Sequence, residues 1–179
     1  EGFDGERVHL AGGGALEADF VVVGVGVRPN TDLAARAGLT VSNGVEVDAF
    51  MRTSDPAIFA AGDIASFPDA PSGGRARVEH WVVAEQQGQV AAINMLGGAE
   101  RYVASPFFWS AHYDQSLRYA GYAPKWDKVE IDGSVAKRDF TARYSNGGRL
   151  LAAASLNRDH ENLEIERQLD AARRGVAAG

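Results

Sequence analysis

Apolar residues along this chain change their spacing twice. Val8 and Leu10, the loop Ala11 to Ala15 and the run Phe20 to Val25 read as a strand, a Gly-rich turn and a second strand. The second, in "FVVVGVG", is almost purely β-branched and apolar, which predicts a strand covered on both faces. In "VRPN" Pro29 fixes the backbone and turns Arg28 away from helical geometry, so the strand ends there. Asn30 or Thr31 then caps a short helix, Asp32 to Ala37, closed by Gly38. "GVEVDAFMRTSDPAIFAAGD" supplies further short strands, with a turn at Ser54, Asp55 and Pro56 before a strand over Ile58 to Ala61. "FPDAPSGGR", Phe67 to Arg75, reads as a loop.

From about Glu79 to Leu96 the period becomes helical, with Ala84, Gly88, Ala91, Ala92 and Met95 on one side and Gly97-Gly98 as the stop. A glycine inside a helix costs about 1 kcal/mol against alanine. Gly88 therefore predicts close approach by another backbone or a ligand. After Pro106, "FFWSAHYDQSLRYAGYA" and "VAKRDFTARYSNGGRLLAAASLN" alternate as antiparallel strands do, with Asn146-Gly147-Gly148 as a hairpin turn. The end, "DHENLEIERQLDAARRG", has apolar residues at helical spacing, acids early and arginines late, which predicts an amphipathic helix packed on that sheet.

Composition narrows the classes. The chain has 179 residues, 45% hydrophobic and 23% charged, and at such a length roughly 68–70% of the unfolded surface is buried on folding. No apolar run approaches the ~18 residues that cross a bilayer, so the expectation is a soluble, cytoplasmic protein with no membrane partner. The formal charge is −6 and the basic residues are dispersed, which argues against nucleic acid as a partner. There are no cysteines, excluding disulfides, thiolate metal sites and a redox-active CxxC pair within the chain. The start at Glu1, without a methionine or signal pattern, suggests a piece of a longer protein.

The sharpest chemical signal is "IFAAGDIA", where Asp63 follows an apolar strand and Gly62. A carboxylate beside a buried run needs a hydrogen-bonding partner. Either Asp63 caps the next turn, or the strand delivers it to the carboxyl edge of a sheet, where open α/β folds place ligands. Gly62 removes the side chain that would block such a ligand.

The ordered series "DFVVVGVGVRPNT", "GVEVDAFMRTSDPAIFAAGDIA" and a Gly-bearing helix resembles the pyridine nucleotide-disulfide oxidoreductase superfamily, flavoproteins with two dinucleotide folds. "RVEHWVVAEQQGQVAAINMLG", "PFFWSAHYDQSLRYAGYA" and "NGGRLLAAASLN" are similar to the ferredoxin reductases of Rieske-type oxygenase and P450 systems, and to the related apoptosis-inducing-factor-like flavoproteins. The resemblance implies an α/β part followed by a small α+β domain with an antiparallel sheet. Residues 1–28 would be the tail of the NAD(P)-binding domain, 29–104 the second part of the FAD-binding domain and 105–179 the C-terminal reductase domain.

The cofactors so implied are FAD and NAD(P)H, and the partner is an iron–sulfur ferredoxin. By the same resemblance Gly24 and Gly26 lie where the NAD(P) domain hands back to the FAD domain, and Asp63 bonds the ribityl chain. Trp81 starts the helix whose N–H groups face the flavin's pyrimidine edge, Trp109 lies against the flavin or nicotinamide, and Glu79 and His80 are nearby. The alternatives are a hydrophobic anchor for Trp109 and a helix-start residue packed on the core for Trp81, while Glu79 reads equally well as a solvated first-turn acid. No catalytic acid or base and no metal ligand is expected, because the two cofactors carry the hydride step.

The glycine fingerprint GxGxxG that cradles a pyrophosphate is missing, since "GVGVRPN" ends in a Pro turn. The 179 residues alone are therefore expected to hold FAD weakly or not at all, and to be inactive. Two further readings are a signalling or interaction role of the apoptosis-inducing-factor type, and a non-catalytic assembly module whose C-terminal sheet either pairs subunits into a homodimer or closes over the flavin.

Overall fold

The computed structural model describes residues 2–177; Glu1, on which the reading of a truncated start rests, lies outside them. The first sheet is a three-stranded antiparallel meander of β1 (Gly2–Phe3), β2 (Arg7–His9) and β3 (Ala15–Glu17). Val8 thus lies in a strand, and the Gly-rich turn follows it, but the returning strand is Ala15–Glu17 rather than Phe20 to Val25.

That second expectation is wrong in this chain. Residues 20–25 form no strand, and Val22 and Val25 are 84% and 88% exposed. A β-branched run becomes a covered strand only by pairing on its edges, and no strand of the described residues lies beside it. A short helix follows as expected, α1 (Asp32–Arg36), with Gly38 just beyond it at φ 77°.

The second sheet has four strands in the order β4 (Val41–Ser42), β5 (Gly44–Glu46), β6 (Ala65–Asp69) and β7 (Gly74–Ala76). β5 and β6 run parallel, the other neighbours antiparallel. The expected strand over Ile58 to Ala61 is reduced to one bridge between Phe59 and Arg52. Asp55 binds the Ala57 N–H at 2.9 Å and turns the chain too close to its exit for a longer ladder. The expected loop Phe67 to Arg75 is instead the β6–β7 hairpin. Its turn is held by Asp69, whose carboxylate accepts the Ser72 N–H at 3.0 Å, so the prolines and glycines shape a tight reversal.

α2 (Trp81–Met95) packs Val83, Gln87, Ala91 and Asn94 inward. With Val47, Met51, Phe67 and Tyr102 it builds the first core. Fully burying residues such as Phe67 or Val83 contributes about 1.5–3 kcal/mol each. The buried stripe is thus partly polar. Gly88 has open space around it, with no atom within 4 Å of where a Cβ would sit, so no close approach explains this glycine.

The C-terminal sheet has five antiparallel strands in the order β10 (Lys128–Ser134), β11 (Asp139–Asn146), β12 (Arg149–Leu156), β9 (Gln115–Gly121) and β8 (Phe107–His112). Gly147 and Gly148, at φ 56° and 76°, make the two-residue turn between β11 and β12, as the sequence predicts. α3 (Asp159–Ala177) lies on the sheet, Ile165 and Leu169 packing against Ala120 and Ala153. Among the described residues no helix is long and apolar enough to cross a membrane.

Candidate functional site

Asp63 sits in a one-turn 3-10 helix, Gly62–Ile64, that leads directly into β6. Gly62 is buried at φ 77°, a left-handed conformation that disfavours side chains. A Cβ on it would stand 3.2 Å from the Ala84 Cβ of α2. Its N–H donates to Oε1 of the fully buried Gln87 at 2.9 Å. The turn is therefore stitched to α2, and the Asp63 side chain is left outside: the residue is exposed and its side chain caps no helix end. Among the described residues its carboxylate makes no hydrogen bond, so the capping alternative does not account for it.

Arg77 connects this turn to the entrance of α2. Its guanidinium donates to the Asp63 carbonyl at 2.9 Å and to Asn43 Oδ1 at 3.2 Å, and pairs with Glu79 at 2.7 Å. Glu79 precedes α2 rather than lying in its first turn, and this ion pair explains the acid locally.

The first turn of α2 carries no acid, and His80 at its head is extended, φ −130° and ψ 137°, with no side-chain cap. The leading N–H groups of that helix lack intrahelical acceptors, and the dipole makes the end electropositive. Around it the aromatic residues converge. Trp81 is 71% and Trp109 48% exposed, their rings 6.2 Å apart at 61°. His80 and Phe108 are 4.3 Å apart. Together with Glu79, Val82 and Phe107 they line a hollow of about 230 Å³. Burial holds the His80 imidazole below its ordinary 6.5, with Asp63 and then Glu79 opposing the shift by their charge.

The structure thus brings Glu79, Trp81 and Trp109 to one hollow and puts Asp63 within electrostatic reach of it. Gly24 is not among them; it lies in the unpaired 20–27 stretch with nothing within 4 Å of a notional Cβ. Sequence reasoning gave no role to Phe108 or Gln87. The run of aromatic residues that opens β8 is a signal for Phe108, whereas a buried glutamine within a helix carries no local mark. Among the described residues no cluster of three metal-ligating side chains occurs.

Known proteins share the fold of this chain. Residues 2–88 match the family model described as pyridine nucleotide-disulphide oxidoreductase, and residues 107–179 the one described as reductase C-terminal. The chain is 43% identical over 178 residues to the anthranilate 1,2-dioxygenase system ferredoxin–NAD(+) reductase component of Burkholderia cepacia, covering 94% of this chain and 42% of that protein. It is 38% identical to human apoptosis-inducing factor 3, covering 86% of this chain and 26% of that protein. A covalent putidaredoxin reductase–putidaredoxin complex contains a chain that superposes with a TM-score of 0.84 at 36% identity, covering 89% of this chain and 38% of that one. The chain spans less than half the length of these relatives. Residues 2–88 thus belong to a domain of the pyridine nucleotide-disulphide oxidoreductase family, and residues 107–179 to a reductase C-terminal domain.

Proposed function

We propose that this chain acts as the C-terminal part of an NAD(P)H-dependent, FAD-containing ferredoxin reductase, passing electrons to a small iron–sulfur ferredoxin. The observation that carries the reading is the convergence of a bare glycine turn, a carboxylate without a partner and an uncapped helix start beside two exposed tryptophans. Those features suit a flavin with its hydroxyl-bearing chain. FAD, when bound, supplies the conversion of a two-electron hydride into single-electron transfers.

The residues of this chain then have separable tasks. Asp63 accepts hydrogen bonds from hydroxyl groups, a pairing with a charged acceptor worth about 1.5–3 kcal/mol each. The α2 N–H groups stabilise negative charge at the ring edge. Trp81 and Trp109 cover the ring against water. No side chain here need move a proton. Residues 1–28 serve as the tail of the NAD(P)-binding domain, 29–104 as part of the FAD-binding domain and 105–179 as the reductase domain. The phosphate cradles lie outside this sequence, as the missing GxGxxG implies.

The test uses the intact protein. It is expected to purify yellow, to be reduced by NADH or NADPH, and to reduce cytochrome c only when ferredoxin is added. Asp63→Ala should weaken FAD binding at least about tenfold, a factor equal to 1.4 kcal/mol, while the apoprotein melts unchanged. Full flavin retention in that variant refutes the role of Asp63. Cytochrome c reduction independent of ferredoxin refutes the electron-transfer assignment and favours a role of the apoptosis-inducing-factor type.

A further inference from the structure

The second and third sheets also meet at a place that shares no residue with the hollow. Asp69, the last residue of β6, is fully buried, and Arg173 on α3 is 7% exposed. Arg173 Nη2 lies 2.6 Å from Asp69 Oδ1, and the other carboxylate oxygen takes the Ser72 N–H. One turn earlier on α3, Asp170 accepts the Ser105 N–H at 2.7 Å. Tyr102, packed edge-on against Phe67 at 5.2 Å, has a buried hydroxyl without a hydrogen-bond partner among the described residues. Burial raises that phenol well above its ordinary range, and Arg173, Asp170 and Asp69 are its charged neighbours.

A buried ion pair contributes little net stability, yet separating it leaves a charge stranded in low dielectric, so it resists displacement strongly. What the pair constrains follows from where each partner is anchored. Asp69 ends the strand that begins at the Gly62–Ile64 turn, and the hairpin partner β7 leads through Arg77 to α2 and Trp81. Arg173 belongs to the helix packed on β9 and β12, and β9 pairs along its length with β8, placing Trp109 opposite Arg118. Each ion is thus fixed to one wall of the hollow.

We propose that Asp69 and Arg173 form a latch that positions the Trp109 wall against the N-terminus of α2. They are positioning residues: neither lines the hollow. The importance of the hollow rests on the function proposed above, but the latch itself is readable without flavin.

The test is the far-ultraviolet circular dichroism of the intact protein carrying Trp126→Phe, in which the strong indole transitions of the close Trp81–Trp109 pair give an exciton couplet. Asp69→Asn and Arg173→Gln are expected to lose most of the couplet with the amide I infrared spectrum unchanged. Arg173→Lys, which keeps the charge, should recover part of it. Arg174→Gln, on the same helix with a side chain 63% exposed, should lose none. If the single variants do not fold, the doubly neutral Asp69→Asn/Arg173→Gln protein decides, because both charges leave together. A weakened couplet supports the latch, and a native couplet in any folded variant lacking one or both charges overturns it. A protein that binds no flavin and still shows this dependence would sink the cofactor reading and leave the latch standing.

Discussion

Replacing Gly62 by alanine tests the turn that presents Asp63. The backbone there is left-handed at φ 77°, which costs an L-residue about 1–2 kcal/mol. The new methyl meets the Ala84 Cβ at 3.2 Å, and easing such overpacking adds about 1 kcal/mol. The easing movement carries the Gly62 N–H away from Gln87 Oε1, now at 2.9 Å, and a buried donor left unpaired costs about 1–3 kcal/mol. With the last term only partly incurred, the sum is about 3 kcal/mol.

For a chain of this size each kcal/mol lowers the melting temperature by about 2–4 °C, so Gly62→Ala should lose about 6–12 °C. Calorimetry of the apoprotein is the assay, since a bound cofactor would add its own stabilisation. A double-mutant cycle with Gln87→Ala isolates the hydrogen-bond share: Gly62→Ala should cost less in that background, because the bond it disturbs is already gone. A melting temperature within about 2 °C of the parent would refute the packing argument. Full additivity in the cycle would refute the coupling to Gln87.

The remaining predictions separate local features. Gly88→Ala should raise stability by about 1 kcal/mol in a helix with open space at that position; destabilisation of the intact protein would instead restore the close approach read from the sequence. Asn94→Ala removes the bonds from Nδ2 to the Phe50 and Glu100 carbonyls and from the Glu100 N–H to Oδ1, and urea denaturation should show a loss of about 2–4 kcal/mol. The native state holds His80 below 6.5, so the unfolded chain takes up the proton first. His80's contribution to stability is therefore full above 6.5 and falls as pH drops below it. The stability difference between parent and His80→Gln should shrink from about pH 7.5 to about pH 5.5, and a pH-independent difference would refute the assignment.

What could be read from the sequence was what local physics decides. α2 and α3 are specified by their helical period, and the turn at Gly147 and Gly148 by glycine conformation, within a few residues of themselves. The run Phe20 to Val25 is the opposite case. Its composition specifies a strand's side chains but not the neighbours that make it one, and here the described residues supply none. In sequence the β6–β7 hairpin looks like a loop because Pro68, Pro71, Gly73 and Gly74 are turn formers, while the constraint that makes it a hairpin, the Asp69 carboxylate accepting the Ser72 N–H, comes from an aspartate like any other in a polar stretch.

The candidate site divides along the same line. Gly62 with Asp63, Trp81 and Trp109 were visible because each stands out against its own surroundings. Gln87 was not, since a polar side chain on a helix gives no local indication that it faces inward. Asp69 and Arg173 were hidden more deeply. Nothing near either residue distinguishes it from a solvated charge, and burial becomes affordable only when both arrive together from different ends of the chain. Such pairs are written in tertiary structure alone. The chemistry of a site is therefore more legible from sequence than its alignment, because a carboxylate or an indole advertises its type, whereas the contacts that fix one wall against another are made between residues that look ordinary apart.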